Sequence, residues 1–289
     1  MLIVYGLVID SEHPVLEGIG EANPILRWAG GKRRLVPYLA KMLPPRWNTY
    51  VEPMAGSAAL FFYLAPKKAV LADINPELMN FYHVLSNNTV SLIEKLTSLR
   101  ASRACYYEMR SRKPRSALGR ATRFAYLNRL CWNGLHRVNQ KGHFNVPMGD
   151  RLPKRLWNVS ELQNAARLLR NATLVSADFK ETLSRLGKRD FAFIDPPYPR
   201  GAKDQWFNRY CKYFFTLEDH QRLGEVAEEL DRKGTLAMIL LAFHPRILDC
   251  YPSSFKRRNV RSKSLISGKP SSRRVIREVI LTNYDSSSQ

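Results

Sequence analysis

At 289 residues with 45% hydrophobic content, the chain has enough length and apolar material for one large α/β domain carrying an insertion. Lys and Arg number 46 against 25 Asp and Glu, a formal net charge of +21, which implies a polyanionic partner, nucleic acid first. No apolar run approaches the roughly 20 residues of a membrane span, and the apolar start Met1 to Ile9 lacks a basic leader and a small-residue cleavage site, so neither a membrane partner nor secretion is expected. Cys105, Cys131, Cys211 and Cys250 are scattered without a C-x-x-C pair, which predicts neither a zinc site nor a disulfide framework and fits a reducing cytoplasm.

In chain order, the first informative stretch is Ile25-Leu26-Arg27-Trp28-Ala29-Gly30-Gly31-Lys32-Arg33-Arg34. Paired glycines let the backbone approach a ligand, Trp28 offers a flat face and Lys32 a point charge; a surface turn reads equally well from these residues alone. A short helix is expected over Leu35 to Met42, stopped by Pro44-Pro45. Tyr50 to Glu52 reads as a strand and Ala58 to Leu64 as a helix. Between them, Pro53-Met54-Ala55-Gly56-Ser57 makes a small-residue loop running into a helix N-terminus, a cofactor cradle without a G-x-G-x-x-G fingerprint. Ala69 to Ala72 is the next strand. Asp73 at its end either accepts from a ribose diol, the preferred reading, or caps the following helix, for which Asn75 and Pro76 are also suited.

From about Val84 to Trp157 the α/β alternation pauses, and basic residues interleave with aromatics (Arg110, Arg112, Lys113, Arg120, Arg123, Phe124, Tyr126), as in a phosphate-contacting insert. Within it, Asn139-Gln140-Lys141-Gly142 separates two β-like segments and predicts a hairpin. A two-stranded ribbon fits the major groove, where Arg137 can fork onto guanine O6 and N7. Alternation resumes with a strand at Ala172 to Ser176, ending in Ala177-Asp178-Phe179.

Phe191 to Ile194 is a buried strand that must stop at Asp195-Pro196-Pro197-Tyr198, because proline can neither extend a ladder nor enter a helix interior. This corner offers a carboxylate, the Pro196 carbonyl and an aromatic ring. Two oxygens can accept both hydrogens of a nucleobase amine, localising its lone pair, while the ring stacks on the base. A basic, aromatic-rich loop follows over residues 199 to 215, then a capping box at Thr216 to Asp219, a helix with the stripe Leu223, Val226, Ala227 and Leu230, and a strand at Thr235 to Phe243. The tail carries Lys256, Arg257, Arg258, Arg261, Lys263, Arg273 and Arg274 around a last strand, Val275 to Thr282.

Over about Ile25 to Tyr284 these motifs, in this order, resemble the Dam-type (D12 class) DNA adenine-N6 methyltransferases. The tetrapeptide Asp195 to Tyr198 resembles that family's amine-methylation signature, the stretch from Trp28 to Lys32 its N-terminal motif, and Leu127 to Gly149 its target-recognition hairpin. The resemblance implies a doubly wound, Rossmann-like α/β sheet of seven strands over residues 1–83 and 165–289. It also implies an inserted, mainly helical DNA-recognition domain carrying a β-hairpin over residues 84–164. The methyl donor would be S-adenosylmethionine, contacted by Trp28, Lys32, Gly56, Asp73 and Asp195; Phe179 either stacks near its adenine or is packed. Double-stranded DNA would lie at Trp132, Asn133, Leu135, Arg137 and Asn139, with GATC as target by analogy at Arg137. A flipped adenine would meet Asp195, Pro196, Pro197 and Tyr198. The expected protein is a monomer without a metal, in the cytoplasm at a nucleoid or phage genome. Two departures stand out: Ala58 where a glycine is common, and Leu241-Ala242-Phe243-His244 where many relatives carry Ser-Asn. The alternatives are an RNA adenine methyltransferase and a non-catalytic DNA-binding protein on the same scaffold.

Overall fold

The computed structural model describes residues 3–4, 7–8, 22–150, 152–153, 155–198, 215–263 and 275–285. The loop expected over 199–215 and the tail arginines 273 and 274 therefore lie, apart from Phe215, outside the described residues. Strands Ile3–Val4 (β1) and Leu7–Val8 (β2) pair with each other, antiparallel, outside the main sheet among the described residues.

The main sheet is built from Tyr50–Glu52 (β3), Ala69–Asp73 (β4), Ala172–Ser176 (β5), Phe191–Ile194 (β6), Leu236–Ala242 (β7), Lys256–Lys263 (β8) and Val275–Thr282 (β9). Its order is β5-β4-β3-β6-β7-β9-β8, parallel throughout except that β9 runs against both neighbours. The chain moves outward from β3 to β5, then returns to lay β6 on the other side of β3. That reversal opens a crevice at the carboxyl ends of β3 and β6, where α/β sheets bind ligands.

Alternation along the strands decides which residues face which layer. Tyr50, Phe191, Phe193, Met238, Leu240 and Ile280 point to one face and Val51, Ala192, Ile194, Ile239, Leu241 and Val279 to the other, and both sets are buried in separate clusters. Helices Val36–Ala40, Ala59–Leu64, Pro76–Asn87 and Val159–Leu169 cover the first face; Phe179–Ser184, Leu217–Arg232 and Pro245–Leu248 cover the second. The start signals work as the residues dictate. Asn75 accepts from the N–H groups of Glu77 and Leu78, and Thr216 with Asp219 closes a reciprocal capping box. Leu223, Val226, Ala227 and Leu230 are all buried. Predicted and observed element ends differ by a residue or two, as fraying ends do.

The segment between β4 and β5 is mostly helical: Thr89–Thr97, Arg103–Ser111 and Ala117–Leu130 precede an irregular stretch. It holds a small core of its own, including Tyr106, Tyr126, Leu130, Leu135, Phe144 and Val146. Helix Ala117–Leu130 also packs along Pro76–Asn87, which fixes this segment against the first face of the sheet. Among the described residues no helix is long and apolar enough to cross a membrane.

Candidate active site and recognition segment

Strand β6 ends at the corner Asp195-Pro196-Pro197-Tyr198. Asp195 is half-buried, Pro196 buried and Pro197 exposed. Asp195 Oδ1 lies 3.2 Å from Lys32 Nζ, an ion-pair contact, yet makes no hydrogen bond of good geometry among the described residues. Lys32 is also 3.3 Å from Glu278 Oε1, and its ammonium sits 3.8 Å from the centroid of the Tyr198 ring. The Tyr198 hydroxyl donates to Glu278 Oε1 at 2.9 Å. These four residues therefore form one cluster, in which the Lys32, Asp195 and Glu278 side chains are 9%, 22% and 3% exposed. Burial raises the Asp195 pKa to about 6, with the Lys32 charge opposing and the Glu278 charge adding to the rise. Burial likewise raises the Tyr198 hydroxyl, so it stays a donor.

Beside this corner lie the two glycine-bearing loops, brought together as a cradle. The Trp28–Gly31 turn closes through the Gly31 N–H to the Trp28 carbonyl, 3.0 Å. Gly56 has φ +49° and presents its Cα hydrogen to the Trp28 indole: a Cβ there would stand 2.9 Å from Trp28 Cδ1 and 3.0 Å from Nε1. Only glycine meets both demands. Ala58 adopts φ 50°, ψ 43° and is fully buried, so the alanine takes up the left-handed backbone that a glycine would favour.

Asp73 joins the two halves of the cradle. Its Oδ2 accepts from the Gly56 N–H at 3.0 Å and its Oδ1 from the Asn75 N–H at 2.9 Å. The helix cap is Asn75, so Asp73 is not needed for that task. Each carboxylate oxygen retains a lone pair for a ligand hydroxyl. Burial raises its pKa against these two hydrogen bonds. Ile74, 44% exposed, follows it. At the end of β3, buried Glu52 accepts at Oε1 from the Tyr50 hydroxyl (2.6 Å) and the Phe61 N–H (2.8 Å); burial lifts its pKa to about 8, which makes it a neutral clamp near pH 7. The donor set, one exposed apolar side chain, a carboxylate with spare lone pairs and a glycine cradle, fits an adenosyl ligand with an amino-acid tail. Phe179 lies two residues past Ala177, whose N–H donates to the Asp73 carbonyl at 3.3 Å; it is 5% exposed, with the Arg222 guanidinium 4.9 Å from its ring and Phe215 tilted against it at 5.8 Å.

The expected hairpin is present as a ribbon held by two isolated bridges, Cys131 with Met148 and Val138 with Phe144, instead of continuous strands. Pro147 and the glycines on either side limit ladder formation. The Asn139 to Gly142 turn closes as predicted, by the Gly142 N–H to the Asn139 carbonyl at 2.8 Å, and Asn139 Oδ1 accepts from the Lys141 and His143 N–H groups. Arg137 Nε donates to Asn145 Oδ1 at 2.8 Å, which fixes the plane of its guanidinium. Trp132 and Asn133 are exposed, Asn133 with φ 52°. Leu135 is 7% exposed in the segment's small core, so it supports the ribbon from below and does not face solvent.

Sequence reasoning passed over two residues. Glu278 is a carboxylate in the otherwise mostly apolar strand β9, paired with Ala242 on β7; a buried acid in such a run is the signal that would have found it. His136 stacks on Trp28 (6.0 Å, 17°) and meets the Asn75 amide at 3.4 Å, so it joins the ribbon to the cradle. Burial lowers its pKa to about 4, which keeps the ring neutral. Nothing in its sequence neighbourhood marks it out.

The sequence pattern of the family described as D12 class N6 adenine-specific DNA methyltransferase matches residues 28–263. The chain is 35% identical over 272 residues to the type II methyltransferase M1.LlaDCHI of Lactococcus lactis subsp. cremoris, covering 91% of this chain and 95% of that protein. It is 32% identical to the type II methyltransferase M.MjaIII of Methanocaldococcus jannaschii, covering 91% and 100%. It is 28% identical to the DNA adenine methylase of Haemophilus influenzae, covering 89% and 92%.

Proposed function

The chain belongs to the D12 class N6 adenine-specific DNA methyltransferase family, and from that premise we propose that it methylates N6 of an adenine flipped out of duplex DNA, within GATC. The observation that carries this reading is the corner after β6: a half-buried carboxylate whose Oδ1 contacts Lys32 but makes no hydrogen bond of good geometry among the described residues, beside an aromatic ring, at the mouth of the sheet crevice. Bound S-adenosylmethionine would supply an electrophilic methyl carbon: the N6 lone pair would form the new carbon–nitrogen bond as the methyl–sulfur bond breaks, the electron pair staying on sulfur and S-adenosylhomocysteine leaving. Asp195 and the Pro196 carbonyl accept the two N6 hydrogens and localise that lone pair, and the Tyr198 ring stacks on the base. Asp195 need not be a strong base, because the methylated nitrogen releases its proton readily. Positioning and fixed charge supply the rate, and no covalent intermediate on the protein is required. Trp28, Gly56, Asp73 and Lys32 would hold the donor.

Residues 84–164 act as the recognition module. Arg137, steadied by Asn145, reads a guanine in the major groove, and Trp132, Asn133 and Asn139 lie at the duplex. The excess of 21 positive charges makes binding phosphate-dominated and steeply salt-dependent. Replacing Asp195 with alanine should abolish transfer of labelled methyl groups to DNA while DNA binding persists; labelling at the wild-type rate would defeat the assignment. Plasmid from expressing cells, cut with one nuclease that requires methylated GATC and another that refuses it, tests the target. Susceptibility to the second would remove GATC.

A further inference from the structure

A single ammonium holds both features that the target base needs. Lys32 Nζ is 3.2 Å from Asp195 Oδ1, the oxygen available for an amine hydrogen, and 3.8 Å from the centre of the Tyr198 ring, at the distance of a stacked base. The base and the ammonium cannot occupy that face together. We propose that Glu278 is a positioning residue that gives the Lys32 ammonium a second berth, so that the arriving adenine can displace it from Asp195 and from Tyr198. The inference rests on the reading of Asp195 as acceptor for the target amine.

The physical case is one of buried charge. Lys32 is 9% exposed, and an ammonium withdrawn from its carboxylate with nowhere to go would be left unpaired out of water. Glu278 removes that obstacle. Its Oε1 is already 3.3 Å from Lys32, and its Oε2 is buried without a hydrogen-bond partner among the described residues, so acceptor capacity is in reserve. The Glu278 main chain is fixed between two strands, paired with Ala242 on β7 and Val260 on β8. The same carboxylate keeps the Tyr198 hydroxyl at 2.9 Å, so the ring stays in place while the ammonium moves. The exchange is one of contacts only; no covalent bond forms or breaks.

Four proteins test it: the wild type, Glu278→Gln, Lys32→Met and the double variant, each assayed for kcat and for KM on genomic DNA with saturating labelled methyl donor. Glutamine retains an acceptor for the Tyr198 hydroxyl but offers no charge to Lys32. Glu278→Gln is therefore expected to raise KM for DNA about tenfold, the worth of one charge-assisted contact. In the Lys32→Met background the same change should move KM by under about twofold, since no ammonium remains to relocate. An equal effect in both backgrounds, or none in the wild type, overturns the proposal. If melting shows that Glu278→Gln does not fold, Lys32→Met alone decides: KM for DNA at or below the wild-type value supports the displacement, and a higher KM overturns it. Asp195→Ala separates the two levels. Full activity there sinks the acceptor assignment itself, whereas inactivity there with equal Glu278→Gln effects in both backgrounds sinks only the exchange.

Discussion

Replacing Gly56 with alanine tests the cradle most sharply, because Gly30 supplies an internal control. Both glycines have positive φ, +49° and +83°. Forcing alanine into such a backbone costs about 1–2 kcal/mol at either site. At Gly30 that is the whole cost, since a Cβ there meets nothing within 4 Å. At Gly56 the new methyl stands 2.9 Å and 3.0 Å from two Trp28 atoms, which adds about 1–3 kcal/mol of overpacking. The indole cannot slide away freely, since its other contacts are the His136 stack and the tilted Phe124 ring at 6.3 Å. The difference between the variants, about 1–3 kcal/mol, should therefore appear as roughly a 5- to 150-fold weaker affinity for S-adenosylmethionine in Gly56→Ala than in Gly30→Ala. Titration calorimetry with the donor, beside thermal melting of each protein, measures it. Equal affinities and equal melting temperatures would show that Trp28 and Gly56 do not meet in the working enzyme.

Other outcomes follow from the titrating and recognition groups. Methyl transfer, read as kcat/KM for DNA, should fall as pH drops through about 6, where Asp195 of the free enzyme takes up a proton and stops accepting one of the amine hydrogens. A flat profile down to about pH 5 would contradict this. Glu52 carries a folded pKa of about 8 against an ordinary value of 4.5, so the native state holds the extra proton between these values and stability falls as pH rises across that window. Glu52→Gln, which keeps the acceptor oxygen without the charge, should melt above wild type at about pH 9 and close to it near about pH 5; a lower melting temperature at the alkaline end would refute the assignment. Arg137→Ala should reduce discrimination at one guanine by about 1–3 kcal/mol, and Asn145→Ala should reduce it by less, in competition binding with single-base variants of the duplex. Unchanged preference in both would remove the ribbon from readout.

How much of this was legible follows from how local each determinant is. The strands at Tyr50, Ala172, Phe191 and Val275 lie where expected because short apolar runs bounded by polar or proline corners leave few alternatives. The Asp195 corner was readable because Pro196 and Pro197 fix the chain whatever surrounds it. Glu278 was not, because its role depends on β9 inserting between β7 and β8, a pairing that no local pattern encodes. Phe179 and Leu135 show the same limit. A hydrophobic side chain next to a motif can line a ligand or support it, and no local pattern shows that Arg222 lies over Phe179 or that Leu135 joins the segment's small core. For Asp73 the residue type indicated an acceptor, but the Gly56 N–H that it holds comes from the preceding βα loop.

Asn128 gives the molecule an asymmetric tolerance to change. Its side-chain amide grips the main chain of Arg27 at both ends, accepting from the N–H at 3.0 Å and donating to the carbonyl at 2.7 Å. That grip reads only peptide atoms, so it is blind to whichever side chain occupies position 27, proline excepted, while position 128 must keep both a donor and an acceptor in one plane. A foreign segment transplanted into this scaffold would have to bring that carboxamide as well as partners for the Trp28 face that His136 now covers and for helix Pro76–Asn87.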